Sequence, residues 1–173
     1  MNYSEIKNCD IANGPGVRIS LFVSGCRNHC KGCFNQETWD FSHGQKFEAH
    51  TISQILMLLD PTFITGLTIL GGDPFEPENI EEVTNLCKFA KSAYPNKDIW
   101  LYTGYLFENF KDHEIMNFVD VIVDGPFVEE LKNLGLRFRG SENQRIIKVK
   151  ESRDKGEIVL WSDWQDDPHL WDF

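Results

Sequence analysis

Cys26, Cys30 and Cys33 fall within eight positions of SGCRNHCKGCFN, residues 24–35, and no fourth cysteine lies nearby. Thiolates are soft ligands that take zinc or the iron of iron–sulfur clusters. A closed structural zinc site uses four tetrahedral ligands, often delivered as two pairs from separate short turns. Here three come from one loop, and His29 or Cys9 would have to complete such a site. Three ligands packed this closely also suit one iron–sulfur cluster. In a four-iron cube, three cysteines leave one iron without a protein ligand, open to a substrate or cofactor. The chain holds five cysteines, an odd number that argues against a disulfide framework. Cys87 falls on the inner face of a helical pattern, and Cys9 has no evident partner.

A loop with three ligands must be held by regular elements. RISLFVSG (18–25) is an apolar, β-branched run closed by Ser-Gly, hence a strand feeding the cysteine loop. HTISQILMLLDP (50–61) places Ile52, Ile55, Leu56 and Leu59 at helical spacing, with Thr51 and Gln54 as a capping box and Pro61 as the stop. GLTILGGDPF (66–75) is a second strand, ending at Gly71-Gly72. PENIEEVTNLCKFAKSAYP turns Ile80, Val83, Cys87 and Ala90 inward as a second helix. DIWLYTGY (98–105) is a third strand and turn, LFENFKDHEIMNF (106–118) a weaker helix, and VDVIVDGPF (119–127) a fourth strand and turn.

This alternation predicts an α/β fold with a parallel sheet and right-handed crossovers. The cysteine loop, GGDP, YTGY and DGPF each follow a strand, so four loops meet at the carboxyl ends, where sites form in parallel α/β folds. A complete eight-unit barrel needs roughly 200 residues or more. A chain of 173 residues therefore suggests a partial, open (β/α) barrel of parallel strands with helices outside. RIIKVKE (145–151) and EIVLW (157–161) read as further strands. No linker or repeat divides the chain, which is taken as a single domain, 1–173, with a Trp-rich tail at 158–173.

A formal charge of −10 and a pI near 4.9 disfavour nucleic acid as a partner, because neutralising phosphates takes clustered lysine and arginine. The beginning, MNYSEIKNCD, has no basic-then-apolar pattern, and no run approaches the roughly 18 apolar residues of a membrane span. A cytoplasmic protein without membrane contact is expected.

With CxxxCxxC after the first strand, the chain resembles radical S-adenosylmethionine enzymes. NGPGVR (13–18), GCRNHCKGCFN (25–35), GGDP (71–74), YTGY (102–105), DGPF (124–127) and RFRGSENQRIIKV (137–149) together resemble the small activating subunits of anaerobic, class III ribonucleotide reductases. Most of the chain is covered, with the Trp-rich tail unmatched. The resemblance implies that Cys26, Cys30 and Cys33 hold one 4Fe-4S cluster and that S-adenosyl-L-methionine chelates the open iron. One electron would break the C5′–sulfur bond, releasing methionine and a 5′-deoxyadenosyl radical that takes hydrogen from a backbone glycine. The implied partners are the large anaerobic ribonucleotide reductase subunit and reduced flavodoxin or a similar electron donor.

Gly71 and Gly72 permit close approach of a small charged group to the backbone, and their oxygens would bind the methionine ammonium. Asp73 stands where many of these enzymes carry Glu. Gly32 precedes the third cysteine where many have an aromatic residue, so the Gly32-Cys33-Phe34 stretch is the adenine-side candidate. Thr103 and Asp124 project from strand ends toward the cofactor or a cation, with a helix N-cap as the other reading for Asp124. The turn at Asn13–Gly16 would border the mouth where the partner's glycine loop enters.

Arg18 and Arg145 read as solvated arginines by default, or as contacts for the cofactor carboxylate or for acids of the partner protein. His43, His50, His113 and His169 read as surface residues. WSDWQDDPHLWDF would cover the open edge of the sheet or dock the reductase. Three other functions compete: activation of another glycyl radical enzyme, a small-molecule radical enzyme, and a zinc-binding interaction module.

Overall fold

A computed structural model describes residues 1–162. Seven strands form one open sheet in the order β3-β1-β2-β4-β5-β6-β7. The strands are β1 (Asn2–Asp10), β2 (Val17–Val23), β3 (Gln45–Lys46), β4 (Ile64–Gly71), β5 (Asp98–Tyr102), β6 (Val121–Asp124) and β7 (Arg145–Lys148). The helices are α1 (Ala49–Leu59), α2 (Ile80–Ala93) and α3 (Val149–Lys155). The four strands predicted from the repeated pattern, β2, β4, β5 and β6, pair in parallel at the centre. Antiparallel strands flank them: β1 and β3 on one side, β7 on the other.

Ile19, Leu21 and Val23 of β2, Leu67 and Ile69 of β4, Ile99 and Leu101 of β5 and Ile122 of β6 point to the helix-covered face. They meet Ile55 and Leu59 of α1 and Val83, Leu86, Cys87 and Ala90 of α2, the core of the molecule. Cys87 thus lies where the helical spacing places it, fully buried. α1 begins earlier than the predicted box: Thr51 occupies the third helical position, and its hydroxyl accepts the Glu48 N–H at 3.2 Å.

Three predicted elements differ. Residues 106–118 form two short 3₁₀ turns, Phe107–Asn109 and Glu114–Asn117, instead of one helix. The second begins at His113, whose ring nitrogen accepts the Ile115 N–H at 3.2 Å and interrupts helical continuity. Residues 145–151 divide between β7 and α3, since the Val149 N–H is drawn to Asp120 O at 2.9 Å. Gly156, at φ 72°, ends α3 in the left-handed conformation glycine favours. Residues 157–161 hold only an isolated bridge, Leu160 to Ile147, with Trp161 N–H on Ile146 O.

The face away from the helices carries Trp100, Val121, Val123 and Ile146. Phe138 and Trp161 cover it edge-on to Trp100, with centroids 5.6 and 5.2 Å away. The start of the Trp-rich tail therefore covers the β7 side of the sheet; residues 163–173, with His169, lie outside the described residues.

Arg18 on this face is buried, contrary to the expectation of solvated arginine. Its guanidinium donates to Thr68 Oγ1 (2.7 Å), Asp98 Oδ1 (2.8 Å), Leu67 O (3.0 Å) and Pro15 O (3.2 Å). These bonds pin the Asn13–Gly16 turn at the amino ends of the parallel strands. That is the opposite end from the cysteine loop, because β2 starts just after this turn and ends just before Ser24.

Candidate functional site

Residues 24–35 leave β2 and turn back on themselves in an irregular path. Gly25, at φ 99°, makes the first bend, and an added Cβ would stand 2.2 Å from the Phe41 ring. Backbone bonds from Gly25 N–H to Thr38 O (2.7 Å) and Cys26 N–H to Trp39 O (3.1 Å) fasten the loop's start to the following turn. The His29 ring stacks on Trp39 at 4.5 Å.

Cys26, Cys30 and Cys33 line one pocket together with Gly71, Gly72, Asp73, Thr103 and Gly104. All three thiols are free. Burial pushes Cys26 up to about 11, opposed by the main-chain N–H groups of Asn28 and His29 and reinforced by the nearby charge of Asp73. Burial also raises Cys30, opposed by the N–H of Phe127 from the DGPF loop. Metal ligation would therefore have to release the Cys26 proton. Among the described residues, no group of three or more Cys, His, Asp and Glu is arranged to hold a single metal ion. Thiolates on different irons of one cube are spread more widely than ligands around one ion. Cys9 lies beside the amino end of β2, so it cannot complete a site with Cys26.

Asp73 organises the pocket. Its carboxylate is buried and accepts from Thr103 Oγ1 (2.8 Å), Gly104 N–H (2.8 Å), Phe75 N–H (2.9 Å) and Asn28 Nδ2 (3.1 Å). One side chain thereby joins the cysteine loop, its own turn and the loop after β5. Burial pushes its carboxyl up to about 6 despite these donors. The shorter side chain, compared with Glu, is used here for protein contacts.

The two glycines have a second reason to be glycine. An added Cβ at Gly72 would lie 2.5 Å from Gly25 O, and at Gly71 2.7 Å from Val23 O. The close neighbour is the protein's own chain as well as any ligand. Gly104 likewise admits the Asn28 side chain, 2.4 Å from where its Cβ would be.

Other predicted residues lie elsewhere. Gly32 and Phe34 do not line this pocket; Phe34 is 98% exposed and borders a separate hollow with Ser4, Glu5 and Gln36. Asp124 is buried, accepts the Phe107 N–H at 2.8 Å and pairs with Arg145, an anchor for the β5–β6 connection. Arg145 also meets Glu108 at 2.8 Å, so it is a paired residue and not a solvated one. Asn28, Trp39, Tyr102, Phe127 and Gln144 join the lining without having been singled out in the sequence. Their only signal is position, since each lies in or beside a loop at a strand end or next to a predicted ligand.

Comparison with known families bears on this arrangement. The 4Fe-4S single cluster domain family matches residues 12–147, which contain all three cysteines and all the parallel strands. The chain is thus a member of a single-cluster iron–sulfur class. It is 47% identical over 146 residues to the anaerobic ribonucleoside-triphosphate reductase-activating protein of Enterobacteria phage T4, covering 84% of this chain and 93% of that protein. Identity to the same-named protein of Vibrio cholerae is 43% over 150 residues, 84% of this chain and 97% of the relative. For that of Escherichia coli K12 it is 41% over 154 residues, 87% of this chain and all of the relative. The chain belongs to the family of anaerobic ribonucleoside-triphosphate reductase-activating proteins, radical S-adenosylmethionine activases of a glycyl radical enzyme.

Proposed function

We propose that the chain acts as one radical domain that binds a single 4Fe-4S cluster through Cys26, Cys30 and Cys33 and cleaves S-adenosyl-L-methionine at the pocket they line. The observation that carries this is the convergence of the three free thiols with Gly71, Gly72 and Thr103 in one pocket at the carboxyl ends of the parallel strands. When bound, the cluster supplies the electron that splits the cofactor into methionine and a 5′-deoxyadenosyl radical, which takes hydrogen from a glycine of the large reductase subunit.

The protein's part is to hold and orient. The Gly71-Gly72 backbone oxygens would receive the amino-acid end of the cofactor, and Asp73 fixes the surrounding loops. The pocket, about 150 Å³, is smaller than the roughly 300–1,000 Å³ of ordinary small-molecule sites. The nucleoside end would therefore lie in the open mouth, beside the Gly32-Cys33-Phe34 turn.

The open seven-strand sheet supports a partial barrel, and the partner's glycine loop would reach the pocket at the carboxyl ends of its parallel strands. Reduced flavodoxin or a similar protein is the proposed donor. Free cysteines suit the reducing cytoplasm, and no described helix is long and apolar enough to cross a membrane. Mixing the reconstituted protein with the large reductase subunit, a reductant and S-adenosylmethionine should produce a glycyl radical signal by electron paramagnetic resonance. No such signal, despite a fully loaded cluster, would refute the assigned partner.

A further inference from the structure

We propose that Glu76 and Arg27 form a positioning pair that fixes the peptide joining Cys26 to Arg27 and so sets the first thiolate for the cluster. The proposal rests on the cluster reading above and names which of this chain's own residues prepare that ligand.

Glu76 is fully buried. Its carboxylate accepts the Arg27 main-chain N–H at 2.7 Å, the Arg27 guanidinium at 2.5 Å and the Tyr105 hydroxyl at 3.1 Å. The guanidinium also meets both oxygens of Glu78, at 2.8 and 2.6 Å, and lies 4.4 Å over the Phe41 ring. A carboxylate this deeply buried is costly unless paired and hydrogen-bonded. It is met here by a residue adjacent to a metal ligand.

The direction of the next peptide explains the arrangement. The Arg27 N–H is taken by Glu76 at 2.7 Å, which fixes the peptide plane directly after Cys26. Holding this plane sets the path of the loop on which Asn28 and His29 follow, and with it where the Cys26 sulfur stands in the pocket. Asp73, three residues earlier, holds the Asn28 side chain from the other side. Both carboxylates also reach the loop after β5, Asp73 at Thr103 and Gly104, Glu76 at Tyr105. The GGDPFE turn therefore grips the cysteine loop at two points, and Glu76 controls its main chain.

The test uses full-length protein reconstituted anaerobically with iron and sulfide. Wild type, Glu76→Gln, Arg27→Met, the double variant and Glu78→Gln are compared by iron and sulfide content, rate of iron loss to a chelator, and the resonance spectrum of the reduced cluster with and without S-adenosylmethionine. Metal-free melting curves report folding. Glu76→Gln and Arg27→Met should each lose iron at least about tenfold faster, as loss of a residue supporting a ligand typically does, with an altered spectrum. The double variant should be no worse than either single one, because the two act as a unit. Glu78→Gln, at an exposed contact, should stay within about twofold of wild type.

Should Glu76→Gln fail to fold, Arg27→Met decides, since its side chain is half exposed. Single variants that keep iron and spectra like wild type would overturn the proposal while leaving the cluster reading intact. A wild-type protein that takes up no 4Fe-4S cluster would overturn both.

Discussion

The Asp73 carboxylate accepts the Gly104 N–H at 2.8 Å, so the turn after β4 is bonded directly to the loop after β5. The same side chain holds Thr103 and Asn28, and three of the four strand-end loops depend on it. Asp73→Ala should lower 5′-deoxyadenosine formation by about 10- to 100-fold, the usual cost of removing a residue that orients a metal site. Asp73→Asn should recover little, because its amide donors would face the Gly104 and Asn28 donors. Initial rates at matched iron content check this, and full activity in Asp73→Ala would show the loops are held without it.

Replacing Cys26, Cys30 or Cys33 by Ala should abolish cofactor cleavage, whereas Cys9→Ala should leave it unchanged, since Cys9 is exposed beside the far end of β2. Cys87→Ala should retain cleavage but unfold earlier, by about 1 kcal/mol for a small buried deletion. Iron content and 5′-deoxyadenosine assays of all five variants separate the two groups.

Gly72→Ala places a methyl group 2.5 Å from Gly25 O and 2.9 Å from Thr38 O, both backbone atoms that cannot swing aside. The cost should be about 1–3 kcal/mol, as for other overpacked sites. Denaturant unfolding of the metal-free protein measures this without involving the cluster.

Asp10 carries a pH prediction. Burial alone would raise its carboxyl, but donors from Ser20, Ala12 N–H and Asn13, with the charge of Lys7, hold it below its ordinary 3.8. A group depressed in the folded state stabilises above its unfolded value and loses that contribution as pH falls. Melting of the metal-free protein should drop on acidification below about pH 4, and Asp10→Asn should be less stable at neutral pH with a flatter acid limb. An unchanged acid limb in the variant would remove Asp10 from the account.

The central strands and both long helices were legible because they repeat simple periods, and the gathering of Cys26, Cys30 and Cys33 at one pocket because three cysteines in one loop after a strand must end near each other. β1 was not legible: NYSEIKNCD is mostly polar, being half-covered near the sheet edge, and pairing with β2 supplies what its own pattern lacks. The 106–118 segment misled because its apolar residues do reach the core, but from two short turns. Arg18 and Glu76 were hidden for another reason. Their partners, Asp98 and Arg27, lie 80 and 49 residues away, and no local pattern marks a charge as buried.

The most direct test of the central claim is electron paramagnetic resonance of the anaerobically reconstituted, dithionite-reduced protein, with and without S-adenosylmethionine, alongside an assay for 5′-deoxyadenosine. A reduced-cluster signal that changes on adding the cofactor, with 5′-deoxyadenosine formed, is the predicted result. A silent sample holding stoichiometric zinc, and no 5′-deoxyadenosine, would contradict it.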